Sequence, residues 1–156
     1  MDIENTNLKL ACDTLGFDYP RNLHFKCERC AICCGDTEKK IRKILLLKLE
    51  ADRISKKTVK NIAAFADEIE GYEPYVYEMK KAKNGKCIFL EDSVCSIYSM
   101  RPLICRFYPF ELKAAGNHMY VFDYTDECPC VDHGPELKRS YFDRLFRKSK
   151  ELMKNA

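Results

Sequence analysis

The chain has 156 residues, a formal charge of +3, 46% apolar and 33% charged residues, nine Phe, nine Tyr and no Trp. That length supports one domain with a modest core, and the composition excludes a disordered or collagen-like chain. Ten cysteines set the chain apart from an ordinary globular protein.

The first 26 residues read as a lead-in, with a turn signal at Tyr19-Pro20-Arg21 and Cys12 standing alone. The run CERCAICC, from Cys27 to Cys34, follows at once and is closed by Gly35. The next stretch, KKIRKILLLKLEADRIS, predicts a strand near residues 40–46 and a short helix near 48–55. Thr58 offers an N-cap for a second helix, because Val59, Ile62, Ala63, Ala66 and Ile69 recur at helical spacing up to Gly71.

Two hairpins come next. Tyr75 to Met79 and Cys87 to Leu90 flank Asn84-Gly85, while Phe107 to Leu112 and Met119 to Tyr124 flank Gly116-Asn117. Between them, Cys95 to Cys105 holds a short helical turn broken at Pro102. Residues 135–153 form an amphipathic helix with Leu137, Tyr141, Phe142, Leu145, Phe146, Leu152 and Met153 on one stripe. The expected architecture is a small single α+β domain with short β-hairpins, several helices and a cysteine-ligated metal core. Residues 1–26 lead in, 27–134 hold the cysteine-cluster metal-binding domain, and 135–156 form a C-terminal helix packed on it.

The start is polar and lacks the apolar stretch of a secretory signal. The longest aliphatic run, Ile44 to Leu47, is far short of the ~20 residues that cross a bilayer. A cytoplasmic protein with no membrane partner is therefore expected. In a reducing compartment, cysteines serve as ligands or redox groups more often than as disulfides. Disulfides keep a place as a rival, since some hyperthermophile cytosols are rich in them.

The cysteines fall into three groups: Cys27, Cys30, Cys33 and Cys34; Cys87, Cys95 and Cys105; Cys128 and Cys130. Two residues between thiolates let both sulfurs face one metal, as in zinc sites and ferredoxin-type loops. Neighbours such as Cys33 and Cys34 point apart, so one can face each of two centres. By analogy with two-cluster ferredoxins, Cys27, Cys30, Cys33 and Cys128 would share one centre, and Cys34, Cys87, Cys95 and Cys105 another. A single four-ligand centre, with the remaining thiols as small buried groups or a redox pair, is the simpler arrangement. Cys130 is a spare or exchange ligand, and Cys12 is left out.

Thiolate softness admits zinc, iron-sulfur or Cu(I) and argues against Mg or Ca. Four thiolates around Zn²⁺ or a [4Fe-4S]²⁺ core sum to about −2, so two centres would turn +3 into about −1. Arg101 and Arg106 flank Cys105, where a cation favours thiolates, and they are expected in the shell around the ligands. His24, His118 and His133 are scattered and read as surface or hydrogen-bonding histidines, His133 being the one nearest a cysteine.

Three blocks together, CERCAICC, CIFLEDSVCSIYSMRPLICRFYPF and CPC, resemble the YkgJ-like CxxCxxCC cysteine-cluster family of zinc- or iron-chelating domains. The resemblance spans about Cys27 to Gly134. It implies eight ligands, Cys27, Cys30, Cys33, Cys34, Cys87, Cys95, Cys105 and Cys128, and motif roles for Arg101, Pro102, Arg106 and Pro109. The family often reads Cys-Pro-Gly where this chain has Cys128-Pro129-Cys130. A related cluster in flagellin lysine methylases looks like an iron-sulfur site, and this favours iron.

The expected function is metal binding, with one or two [4Fe-4S] clusters serving electron transfer or cluster and metal storage and delivery, with a protein partner. A structural zinc domain that presents its basic helix to a partner is the alternative. No GxSxG, P-loop, GxGxxG or HExxH motif is present, so no catalytic residue is assigned and a binding role is favoured over an enzyme. Basic residues between Lys39 and Lys60 and after Glu136 lack any nucleic-acid recognition motif and read as solvated helix faces.

Overall fold

The computed structural model describes residues 16–154. Cys12 and the first part of the expected lead-in fall outside them. In chain order the elements are β1 (Gly16–Asp18), β2 (His24–Phe25), β3 (Leu45–Leu46), α1 (Lys48–Thr58), β4 (Ala66–Glu68), β5 (Tyr77–Met79), β6 (Leu90–Glu91), β7 (Val94–Cys95), α2 (Leu103–Phe107), β8 (Phe110–Gly116), β9 (Met119–Tyr124), β10 (Val131–Glu136) and α3 (Arg139–Lys154). Short 3₁₀ turns occupy Ile32–Cys34, Ile62–Ala64 and Tyr98–Met100. The fold is α+β, as the alternating patterns imply. No helix among the described residues is long and apolar enough to cross a membrane.

Two apolar cores organise these pieces. In the first, α3 lays Phe142, Phe146 and Leu152 against the sheet β1-β9-β8, where β1 is parallel to β9 and β8 antiparallel. Its centre is aromatic: Phe17 meets Phe122 edge-on at 5.4 Å between centroids, and Phe142 meets Phe110 at 5.2 Å. Edge-on contacts suit the quadrupoles of facing rings. The second core joins α1 to the sheet β3-β5-β4 through Ile44, Leu46, Ala51, Ile54, Phe65 and Phe89.

The five-residue helix α2 connects the two. Its i, i+4 pair Leu103 and Phe107 is buried in the first core, while Ile104 and Cys105 pack against the second. One buried carboxylate fixes its position. Glu50 lies at the third position of α1 and is only 5% exposed. Its Oε2 accepts the Leu47 N–H at 3.0 Å, and its Oε1 accepts the Leu103 N–H at 2.6 Å. Each helix start leaves N–H groups without intrahelical partners, and Glu50 satisfies one at each.

The segment after α1 departs from expectation. Thr58 does not begin a helix; it ends α1, its hydroxyl donating to the Ile54 carbonyl at 2.7 Å. Val59 then turns left-handed at φ 55° and is 91% exposed, which stops the helix. Asn61 caps the Ile62–Ala64 turn by accepting the Ala63 N–H, and residues 66–68 become β4 because β5 offers an open edge. The apolar spacing mimicked a helix while the pairing partner lay a dozen residues downstream.

The expected strand near 40–46 contracts to Leu45–Leu46, and the first hairpin survives only around its turn. Gly85 donates its N–H to the Ala82 carbonyl, but pairing across the turn reduces to a bridge between Lys81 and Cys87, because β3 and β4 already occupy both edges of β5. The second hairpin forms as β8-β9, with Asn117 and His118 both at positive φ in the turn. It starts at Phe110, since Phe107 closes α2. The C-terminal helix starts at Arg139, because 131–136 pair with β2 as β10.

Replacing Glu50 with Gln swaps one acceptor for an N–H donor and leaves a buried backbone N–H unsatisfied. The expected loss is about 1–3 kcal/mol of unfolding free energy, read by denaturant titration of the full chain.

Candidate metal centre

The cysteine segments are brought together by close backbone contacts. Cys27 and Cys30 follow β2 on an exposed loop in which Arg29 and Ala31 are left-handed, at φ 58° and 65°. Cys33 and Cys34 sit in the Ile32–Cys34 turn. Gly35 comes next, at φ 154°, and a Cβ there would lie 2.6 Å from the Lys86 Cα, so only glycine lets this segment dock on the Asn84-Gly85 turn. Across that contact the Cys87 N–H donates to the Cys34 carbonyl at 2.6 Å, and the Asp36 N–H donates to the Gly85 carbonyl at 3.0 Å. The Asp36 carboxylate completes the junction. It accepts the Lys81 ammonium at 2.7 Å and the Arg42 N–H at 2.8 Å, and these donors hold its pKa below the usual range.

Cys95 ends β7, Cys105 lies mid-way along α2, and Cys128 and Cys130 occupy the turn that enters β10. All nine described cysteines are free thiols. All nine line a single cavity of about 540 Å³, together with Lys26, Arg29, Arg101 and Arg106, and no carboxylate among the described residues lines it.

Burial acts on these thiols against backbone donors. It pushes Cys105 up to about 12 and Cys128 up to about 11, and it also raises Cys87 and Cys95. Pulling the other way, the N–H groups of Phe89, Ile97 and Cys130 each donate to the sulfur two residues before them, at Cys87, Cys95 and Cys128. Such bonds favour the thiolate. Cys33 and Cys34 do not point fully apart: the Cys33 thiol donates to Cys34, which raises Cys33 and lowers Cys34.

Arg101 and Arg106 stand near the thiols, each with a structural task as well. Arg101 favours the Cys95 thiolate, donates from Nε to the Tyr98 carbonyl at 3.1 Å and lies 3.8 Å over the Tyr98 ring. Arg106 donates to the carbonyls of Arg101 at 2.9 Å and Ser99 at 2.8 Å, and Cys105 is among the groups acting on it. The arginine that local spacing did not single out is Arg42. Its guanidinium stacks on Tyr108 at 4.6 Å and favours the thiolates of Cys33 and Cys105. Its Nε and one Nη are buried without a hydrogen-bond partner among the described residues. Two orphaned cationic donors beside thiols fit a net-negative, thiolate-bound group.

No three His, Cys, Asp or Glu side chains among the described residues are already gathered to hold one ion. The thiols surround a space instead of converging on a point.

A family model described as "CxxCxxCC: Putative zinc- or iron-chelating domain" matches residues 26–129. The chain belongs to that CxxCxxCC family. It is also 33% identical over 107 residues to an uncharacterized protein of Methanocaldococcus jannaschii, a match covering 65% of this chain and 53% of that protein. The chain thus spans about half the length of the curated relative it matches. No solved structure matches it.

Membership of a chelating family supports metal binding by this CxxCxxCC chain. The histidines stay outside the cavity lining: His24 donates from Nδ1 to the Gly134 carbonyl at 2.8 Å, and His118 and His133 are exposed. Glu50 and Arg42 escaped the sequence reading. The available signal was a charge set into the apolar run from residue 41 to 51.

The raised thiols set a pH dependence. Unfolded cysteines ionise near 9.0, whereas the folded chain holds the Cys105 and Cys128 protons to about 12 and about 11. Above pH 9 the unfolded state therefore binds fewer protons, and the stability of the metal-free, reduced protein falls as pH rises. Thermal melts between pH 8 and 10 should show this fall, with a shallower slope when Cys105 and Cys128 are both replaced by Ala.

Proposed function

We propose that the protein holds one or two [4Fe-4S]-type clusters through cysteine thiolates and serves in electron transfer or in cluster and metal storage and delivery, in a reducing cytoplasm. The observation that carries this reading is a cavity lined by nine thiols and, among the described residues, by no carboxylate, with the orphaned Arg42 donors beside it. A cavity of this size, lined by nine thiols, has room for a polynuclear group whose own inorganic sulfur fills the middle.

In this reading Cys34, Cys87, Cys95 and Cys105 supply one ligand set, gathered by the Gly35 contact, the β6-β7 turn and α2. The bound cluster would supply one-electron chemistry. The backbone N–H groups of Phe89 and Ile97 donate to ligand sulfurs, and Arg42, Arg101 and Arg106 offset the added negative charge. Burial by Ile97, Phe89 and Met79 limits water on the inner side. Each of these is a lever on reduction potential.

Anaerobic purification followed by iron, zinc and acid-labile sulfide assays tests the reading. Brown protein with about four or eight irons and matching sulfide is expected. Colourless protein with stoichiometric zinc and no sulfide would overturn it in favour of a structural zinc domain.

Arg42 supplies a sharper expectation. Replacing it with Leu removes a half-buried cation beside thiolates and so disfavours the more negative, reduced state. Electrochemical titration should then give a lower midpoint potential than that of the parent chain, with iron content retained.

A further inference from the structure

The two apolar cores divide six of the nine described cysteines between them. Cys34, Cys95 and Cys105 pack against the core in which Cys87 is buried, while Cys128 and Cys130 are buried in the core beneath α3. The first set is complete at four without any help from Cys128 or Cys130.

The second set has its own scaffold. Antiparallel pairing places Val131 opposite Phe25, so the segment just before Val131, Cys128-Pro129-Cys130, runs beside the segment just after Phe25, Lys26-Cys27. Gly134, at φ 88°, permits this approach, since a Cβ there would lie 2.6 Å from the Lys26 Cβ. The Cys130 N–H donates to the Cys128 sulfur, and both Cys30 and Cys130 act on Cys128. Cys33, by contrast, is engaged with Cys34 and acts on Cys87, Cys95 and Cys105. The family match stops at residue 129, one residue before Cys130.

We infer that Cys27, Cys30, Cys128 and Cys130 form a second four-thiol site for a thiophilic metal, one that recruits Cys130 and leaves Cys33 out. This rests on the metal-binding reading above and revises which thiols share a centre. The two sites differ in access. Cys128 and Cys130 are 6% and 3% exposed, but Cys27 and Cys30 lie open on the loop, so this site has one buried wall and one solvent wall. A metal held there exchanges faster than one held by Cys34, Cys87, Cys95 and Cys105, because incoming ligands reach two of its sulfurs directly.

The test uses the full, reduced chain loaded anaerobically with Cd²⁺, challenged with a chelator for increasing times, alkylated and mapped by peptide mass. The expected result is that Cys27, Cys30, Cys128 and Cys130 become alkylated together, before Cys34, Cys87, Cys95 and Cys105. This pattern is read in the parent chain and needs no variant. With Cys130→Ser, bound Cd²⁺ should fall by one equivalent and Cys27 and Cys30 should lose protection, whereas Cys33→Ser should leave both unchanged. Unaltered protection of Cys27 and Cys30 in the Cys130→Ser chain, or its loss in the Cys33→Ser chain, overturns the partition while metal binding stands. A parent chain that binds no Cd²⁺ overturns the metal-binding reading together with the site.

Discussion

Cys105 can stand near Cys34, Cys87 and Cys95 only if α2 is held at one place between two cores, and a five-residue helix is too short to hold itself there. The Glu50 carboxylate supplies the constraint by accepting N–H groups from the starts of both α1 and α2. Its burial opposes ionisation and raises its pKa, while the two N–H bonds favour the carboxylate. A group kept inside despite that penalty, with both oxygens engaged, fixes register more than it adds net stability. Leu103 and Phe107 then turn toward one core, and Cys105 turns toward the other.

Among the described residues the charged side chains that line the cavity are all cationic: Lys26, Arg29, Arg101 and Arg106. Half-buried Arg42 lies next to Cys33 in an adjoining pocket that also takes in Glu127. A cavity of neutral thiols has no need of five cations, and two unpartnered donors on Arg42 are a standing penalty of about 1–3 kcal/mol in the metal-free chain. Thiolate-ligated metal reverses both facts, since each four-thiolate centre brings about −2. The same burial that raises Cys105 and Cys128 therefore makes loading release protons, and it ties metal affinity to pH.

Features with local causes were legible in the sequence. The β8-β9 hairpin follows from its Gly116-Asn117 signal, α3 from its apolar stripe, and the nine clustered cysteines from their donor chemistry and spacing. Arg101 and Arg106 were legible because they flank Cys105 in the chain. What sequence periodicity missed depends on tertiary pairing. The helix expected from Thr58 to Gly71 gave way to β4 because β5 offered hydrogen bonds that no local spacing announces. Arg42 reaches Cys105 across 63 positions, and Glu50 reaches Leu103 across 53. Neither contact leaves a signature beyond a charge in an apolar stretch.

The adjacency of Cys33 and Cys34 first suggested a junction between two centres, one thiol for each. The geometry moves that junction. Cys33 donates to Cys34, so the pair acts as a unit on one side of the cavity, with Cys33 as a hydrogen-bond donor to a ligand sulfur. The other side is then completed from elsewhere, and the β2-β10 pairing brings Cys130 to it. The change in partition follows from the cores that six of the cysteines pack against, from the bond of Cys33 to Cys34, and from the β2-β10 register. Two cores that share α2 give two groups of thiols around one cavity, one shielded by the second core and one open along the Cys27 to Cys30 loop. Unequal access of this kind would let a single small fold retain one metal group while exposing another to exchange.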